Sequence, residues 1–324
     1  MRLLYALERS DLVARAALGS VKDLFVLNLH RATAAIAQQF WRRVPYRYVG
    51  YVASLVPSWN SFIAALNPTS AHDDVAQIHA AFLLGEKMHR RHDERLWARK
   101  KCLEKSGYHG EPGLIAHIRD CGQTLRDYVA ATCPGRPLIF APLHTVSDRI
   151  AAAVCSLGPA RHATVVSAYA ADALGKDEMH SVALLGTKLD RLMVADLKAA
   201  EFRRRIKAVS EGRSHLVVFP DALPEFTSAM AGRPMRTRKI DIFKRPGRLH
   251  AGLEVLSKAS KAVVVYFALY EARGCLRIDV LGSLNWDGIA SSGASMIEEG
   301  IRRHWRFWLL WRCRSLFYMN PESP

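Results

Sequence analysis

Apolar residues recur at three- and four-residue spacing from Leu3 to about Lys101, the repeat of amphipathic helices. The repeat breaks at Val44-Pro45 and Val56-Pro57, where the proline ring removes a backbone donor. Asn67-Pro-Thr-Ser70 offers a turn and a helix cap before a further helical run, Asp73 through Trp97. The exposed face of that run carries Lys87, His89, Arg90, Arg91, His92, Glu94 and Arg95. After the turn-rich stretch Ser106–Gly113 the pattern changes. Short, almost wholly apolar runs predict strands at Leu138–Leu143, Thr164–Ser167, Leu192–Ala195, Leu216–Phe219, Val263–Leu269 and Leu276–Leu281. Helical runs at Ser147–Ser156, Ala171–Gly186, Leu197–Glu211 and Gly247–Ala259 separate most of them.

Strands that are apolar on both faces and alternate with helices predict an α/β fold. Its central sheet is mainly parallel and flanked by helices on both faces, and it follows an α-helical N-terminal region. The expected boundary separates residues 1–105, a helical region that packs on membrane or core, from an α/β domain over residues 106–324. With half of its 324 residues apolar, the chain has ample material for a core, and general disorder is excluded.

Charge narrows the partners. A net charge of +16 favours phosphorylated molecules, anionic lipid or nucleic acid, and no nucleic-acid reader motif accompanies it, so no nucleic acid is expected. No stretch approaches about 18 uninterrupted apolar residues, and the first thirty positions include Arg2, Glu8, Arg9 and Asp11. Neither a spanning helix nor a secretory signal is expected, which points to the cytoplasm. The six cysteines show no C-x-x-C spacing and are read as mostly buried small hydrophobes, with no metal site.

Two strand ends carry the candidate chemistry, since open α/β sheets gather their sites where strands deliver side chains to a crevice. The first is Pro137-Leu-Ile-Phe-Ala-Pro-Leu-His144-Thr-Val-Ser-Asp148, in which His144 precedes Asp148 by four positions. A carboxylate that fixes an imidazole tautomer makes it a better base, and Asp148 is placed to do this; it is equally placed to serve as a first-turn acid favouring the helix dipole. The second is His215-Leu-Val-Val-Phe-Pro220-Asp221-Ala-Leu-Pro224, whose bracketing prolines hold Asp221 in a stiff turn that either positions a substrate or ends a strand. Arg233, Arg236, Arg238, Lys239, Lys244, Arg245 and Arg248, set against Asp241, form a basic loop that is either an anion site for phosphate or a solvated surface. The run Glu298–Tyr318 interleaves Trp305, Phe307, Trp308, Trp311, Phe317 and Tyr318 with arginines. That composition suits a bilayer headgroup layer, although part of the run, Trp308 above all, is expected to pack on the domain.

In their order, these motifs resemble the bacterial lipid A biosynthesis acyltransferases, the lauroyl/myristoyl branch of the lysophospholipid acyltransferase superfamily. The resemblance runs from about Val44 to Arg314. It rests on Val44-Pro-Tyr-Arg-Tyr-Val-Gly, on His144, and on Phe219-Pro-Asp-Ala-Leu-Pro224 in place of a P-D-x-x-P element. Ile242-Phe-Lys-Arg-Pro246 and the tryptophan-rich Ile301–Arg312 complete it. The resemblance implies transfer of an acyl group from an acyl carrier protein or coenzyme A thioester to a hydroxyl or amine of a lipid or glycolipid. It implies no bound cofactor, and a peripheral location on the cytoplasmic face of the inner membrane. His144 and Asp148 would be catalytic, and Asp221, Arg149, Arg233, Arg236, Arg238 and Arg245 would bind substrate. The family's acid lies five positions after its histidine, where this chain has Arg149. That departure keeps two alternatives open: transfer of an unusual acyl or aminoacyl group to a lipid or specialised metabolite, and a non-catalytic acyl-chain or lipid-binding protein on the same scaffold.

Overall fold

The computed structural model describes residues 36, 39–49, 73–88, 92–167, 182–193, 198–232, 234–311 and 313. The chain divides into compact units at residues 1–44 and 45–324. In the first, the described residues form a helical segment in which Phe40 meets Trp41 edge-on, with centroids 5.2 Å apart. Everything that follows concerns the second.

The second unit is mixed α/β, built on a six-stranded and mostly parallel sheet. Helices α1 (Asp73–Leu84), α2 (His92–Tyr108) and α3 (Pro112–Thr132) precede β1 (Leu138–Pro142). Then come α4 (Asp148–Ser156), β2 (His162–Ser167), β3 (Lys188–Met193), α5 (Ala199–Ser210), β4 (His215–Val217) and α6 (Pro224–Ala231). The hairpin β5 (Thr237–Ile242) and β6 (Arg245–His250) leads to α7 (Gly252–Ser260), β7 (Val263–Ala272), β8 (Cys275–Leu284) and α8 (Trp286–His304). The sheet order is β3-β2-β4-β1-β7-β8, parallel throughout except for the β7–β8 hairpin.

All six expected strands have counterparts in the sheet, although β3 begins at Lys188 rather than Leu192. β1 is buried at every position and β7 over its first seven, as strands covered on both faces require. The single helical run expected from Asp73 to Trp97 is instead two helices, and the second continues through residue 105 to Tyr108. Most of the run expected at Ala171–Gly186 lies outside the described residues.

A further expectation is corrected. The helix predicted from Gly247 begins only at Gly252, because Arg245–His250 pairs antiparallel with Thr237–Ile242. The two-residue turn of this hairpin is made by Phe243 and Lys244, both at positive φ (53° and 59°), a conformation that usually selects Asn or Gly. Burial of Phe243 and a 2.7 Å bond from its backbone N–H to Glu298 Oε2 compensate.

The core gathers Ile139, Ala141 and Leu143 from β1 and its C-terminal end with Leu216, Val264, Tyr266, Ile297, Ile301, Trp308 and Trp311. Helix α8 lies close over the sheet at Gly300, where a Cβ would stand 2.4 Å from Leu143 Cδ1 and 2.6 Å from Leu281 Cδ1. Leu143 is the residue immediately before His144, so this contact seats the first strand end. Four of the six cysteines are buried, as small hydrophobes are, and all six are free thiols.

Candidate functional site

Strands β1 and β4 are parallel neighbours, with Phe140 opposite Val217. Their C-terminal ends therefore open on the same edge of the sheet, and each chain delivers a polar side chain four residues beyond that pair: His144 from one and Asp221 from the other. The two meet. Asp221 is completely buried, its Oδ1 lies 2.8 Å from His144 Nδ1, and its Oδ2 accepts from the His144 backbone N–H at 2.9 Å. A carboxylate only accepts, so Nδ1 carries the hydrogen and the lone pair of the neutral ring lies on Nε2. Among the described residues Nε2 has no hydrogen-bonding partner, and 20 % of the His144 side chain is open to solvent. The Phe219 ring lies against the imidazole with centroids 4.5 Å apart.

Burial by itself would lower the titration of His144. The charge of Asp221 and its hydrogen bond, joined by the charge of Asp148, outweigh that and hold the imidazolium above the ordinary histidine value of 6.5.

The loop from β1 to α4 is clamped on two sides. Leu143 donates to Phe267 O at 2.9 Å, and Thr145 Oγ1 accepts from the Leu269 N–H at 2.9 Å, so β7 holds one side. On the other, Val146 donates to Phe307 O at 3.0 Å, Leu309 donates to His144 O at 2.8 Å, and Thr145 and Trp308 form an antiparallel bridge. Within this clamp Val146 sits at φ 58°, a region that β-branched residues rarely enter. Strain of this kind persists where surrounding contacts over-determine the backbone. The Trp308 indole reaches Asp221 Oδ2 at 2.8 Å.

Asp148 takes the second of the two places read for it, that of a first-turn acid, and makes no hydrogen bond to the His144 ring. It opens α4 behind the N-cap Ser147, and its Oδ1 is 2.5 Å from Lys100 Nζ. Lys100 also stands 3.4 Å from Glu104, which accepts from Ser147 Oγ at 2.7 Å and lies 3.7 Å from Arg149 Nε. Burial would raise the Asp148 carboxyl, but the Lys100 charge, the His144 charge and the Lys100 hydrogen bond bring it below its ordinary value. The acid hydrogen-bonded to the ring is thus Asp221, and Asp148 acts on His144 only through its charge.

The basic stretch is the β5–β6 hairpin rather than an open loop. Arg238 pairs with Glu254 at 2.7 Å, the Arg245 guanidinium lies 3.6 Å from the Phe82 ring centroid, and Arg236 lends its carbonyl to the Ala251 N–H. None of these partners belongs to the His144–Asp221 pair. Arg233 lies outside the described residues. Trp308 and Trp311 are wholly buried, so these two rings belong to the core rather than to a headgroup layer; Phe317 and Tyr318 lie outside the described residues.

Beside the Lys100 cluster lies a cavity of about 30 Å³. Gly107, Ile115, Ile118, Ile150, Ala153, Val182, Leu185 and Leu189 line it, together with Glu104 and Arg149. Lys100 and Glu104 come from α2, about forty positions before His144, and no local signal in the sequence marks them as part of this network. Among the described residues no helix is long and apolar enough to cross a membrane. No protein-family model matches the chain, and no curated protein does.

Proposed function

We propose that the protein is an acyltransferase of the lysophospholipid acyltransferase kind, on a sheet covered by helices on both faces, with His144 as general base and Asp221 as its orienting acid. The observation that carries this reading is the 2.8 Å contact of a fully buried carboxylate with Nδ1 of a partly exposed imidazole whose other nitrogen has no partner among the described residues. Neutral His144 takes the proton of an acceptor hydroxyl or amine through Nε2 as the acceptor oxygen or nitrogen bonds to the thioester carbonyl carbon. The tetrahedral adduct then collapses, the carbon–sulfur bond breaks, and the imidazolium returns its proton to the departing thiolate. Asp221 stabilises the imidazolium between these steps. Acyl carrier protein or coenzyme A thioester is the donor, and a lipid or glycolipid is the acceptor. The net charge of +16 supports contact with anionic lipid on the cytoplasmic face of the inner membrane. Arg236, Arg238 and Arg245, with Arg233, remain the candidates for phosphate contact.

A second reading keeps the scaffold and changes the transferred group to an unusual acyl or aminoacyl one, because Arg149 stands where the resemblance places the family's acid. A panel of acyl carrier protein and coenzyme A thioesters of increasing chain length, incubated with phospholipid and glycolipid acceptors and read by mass spectrometry, tests both readings. Transfer from a long-chain thioester supports the first, and transfer confined to unusual acyl or aminoacyl donors supports the second. Tight binding of a chain without turnover from any donor would leave a non-catalytic binder.

The pH dependence follows from the raised imidazole. The base works only when neutral, so transfer should climb with pH on the acid side with a midpoint above 6.5. A midpoint at or below that value would count against the His144–Asp221 pair as the working base.

A further inference from the structure

We propose that the Trp308 indole is a positioning residue that sets the basicity of the His144–Asp221 pair, by supplying the third hydrogen bond to the Asp221 carboxylate. The inference rests on the acyltransfer reading for the role of His144, and it concerns a residue that the sequence marks only as packing material.

Asp221 is fully buried and receives three donors: His144 Nδ1 at Oδ1 (2.8 Å), and at Oδ2 the His144 backbone N–H (2.9 Å) and Trp308 Nε1 (2.8 Å). The first two come from one residue, so His144 alone grips the acid at both oxygens and fixes its rotamer. The indole therefore adds charge stabilisation rather than orientation. A carboxylate whose charge is shared with an extra N–H pulls less strongly on a neighbouring imidazolium. The ring then releases its proton nearer neutral pH, where a base is needed.

Backbone register delivers the indole to this point. Residues 307–309 run antiparallel to residues 144–146, fastened by the Thr145–Trp308 bridge, by Val146 N–H on Phe307 O and by Leu309 N–H on His144 O. The same ladder that restrains the strained loop thus places Nε1 on the buried carboxylate. Trp311, edge-on to Trp308 with centroids 4.7 Å apart, donates instead to Trp305 O at 2.8 Å. It supplies an internal control: a buried tryptophan of the same segment whose N–H does not touch the acid.

The test follows the His144 ring by NMR of histidine-labelled protein, the signal being assigned by its loss in His144→Gln. Trp308→Phe is expected to move the titration midpoint of His144 upward by about half a pH unit or more. Trp311→Phe is expected to leave it in place. In an Asp221→Asn background Trp308→Phe should add no further shift, because the coupling runs through the carboxylate. If Trp308→Phe folds poorly, benzothienylalanine at position 308 keeps the shape of the ring and lacks the N–H, and the same upward shift is expected. An unchanged or lowered midpoint in the variant lacking the N–H, or an equal shift in Trp311→Phe, overturns the proposal. The measurement needs no acyl donor, so it separates failure of this inference from failure of the acyltransfer reading.

Discussion

His144→Ala and Asp221→Asn should each lower acyl transfer by at least about a hundredfold, and Asp221→Asn by up to about ten-thousandfold, while both variants stay folded. Removing the ring removes the proton acceptor outright. The Asp221→Asn change does more than delete a charge, because the new amide can present a donor to Nδ1 and favour the tautomer with hydrogen on Nε2, the nitrogen that must accept. Its effect should be confined to turnover, leaving donor binding within about threefold. Asp148→Asn should cost far less, about tenfold, since Asp148 reaches the ring only through its charge and is itself held by Lys100 at 2.5 Å. Steady-state rates of the three variants with one active donor decide the matter. If Asp148→Asn proves as damaging as Asp221→Asn, the acid that works with His144 has been misassigned. If neither His144→Ala nor Asp221→Asn falls tenfold, the pair is not the catalytic centre.

The sequence makes both halves of this pair visible, but its spacing offers His144 the nearby Asp148, whereas the acid hydrogen-bonded to the ring is Asp221. His144 and Asp221 are each marked by an apolar strand ending in a polar side chain, and both strands form where the pattern places them. What a linear pattern does not contain is which strands are neighbours. Asp148 lies four residues from His144 in sequence, whereas Asp221 becomes its neighbour only because β4 inserts beside β1. Spacing therefore favours the local acid, and sheet order chooses the distant one. Lys100, which holds Asp148, illustrates the same limit, since it arrives from a helix that precedes the sheet altogether.

The basic hairpin escapes the sequence pattern for a different reason. A two-residue turn normally declares itself through Asn-Gly or Asp-Gly, which tolerate positive φ. Here Phe243 and Lys244 take those angles, and the stabilisation comes from Glu298 on α8, fifty-five positions away. The β7–β8 turn shows the conventional device, with Gly274 at φ 73° following Arg273 at φ 52°. Where the turn residues match the backbone, the pattern is readable; where tertiary contacts override them, it reads as a loop. The tryptophan-rich segment is legible in part: interleaved rings and arginines allow either membrane or core, and burial of Trp308 and Trp311 settles those two rings.

That segment should also carry a large share of the stability, and Trp311→Ala should lower it by about 3–5 kcal/mol, the usual cost of truncating a buried tryptophan. Trp311 is fully buried, packs edge-on to Trp308, and donates through Nε1 to Trp305 O. Its own carbonyl lies 2.9 Å from Nδ1 of His79, a wholly buried histidine on α1. A carbonyl only accepts, so that nitrogen carries the hydrogen; burial, which outweighs the bond to Trp311, keeps the titration of His79 below the ordinary value, so the ring stays neutral at pH 7. Trp311 thus joins α1, the Trp305 turn and the indole on Asp221, and truncation opens a cavity among all three. At about 2–4 °C per kcal/mol for a domain of this size, the melting temperature should fall by about 6–20 °C in a thermal scan followed by circular dichroism. Trp311→Phe should cost less, because a ring still fills most of the space. A Trp311→Ala protein that melts within about 2 °C of the parent would mean that the segment does not anchor the core. In that case the clamp on the His144 loop would need another source.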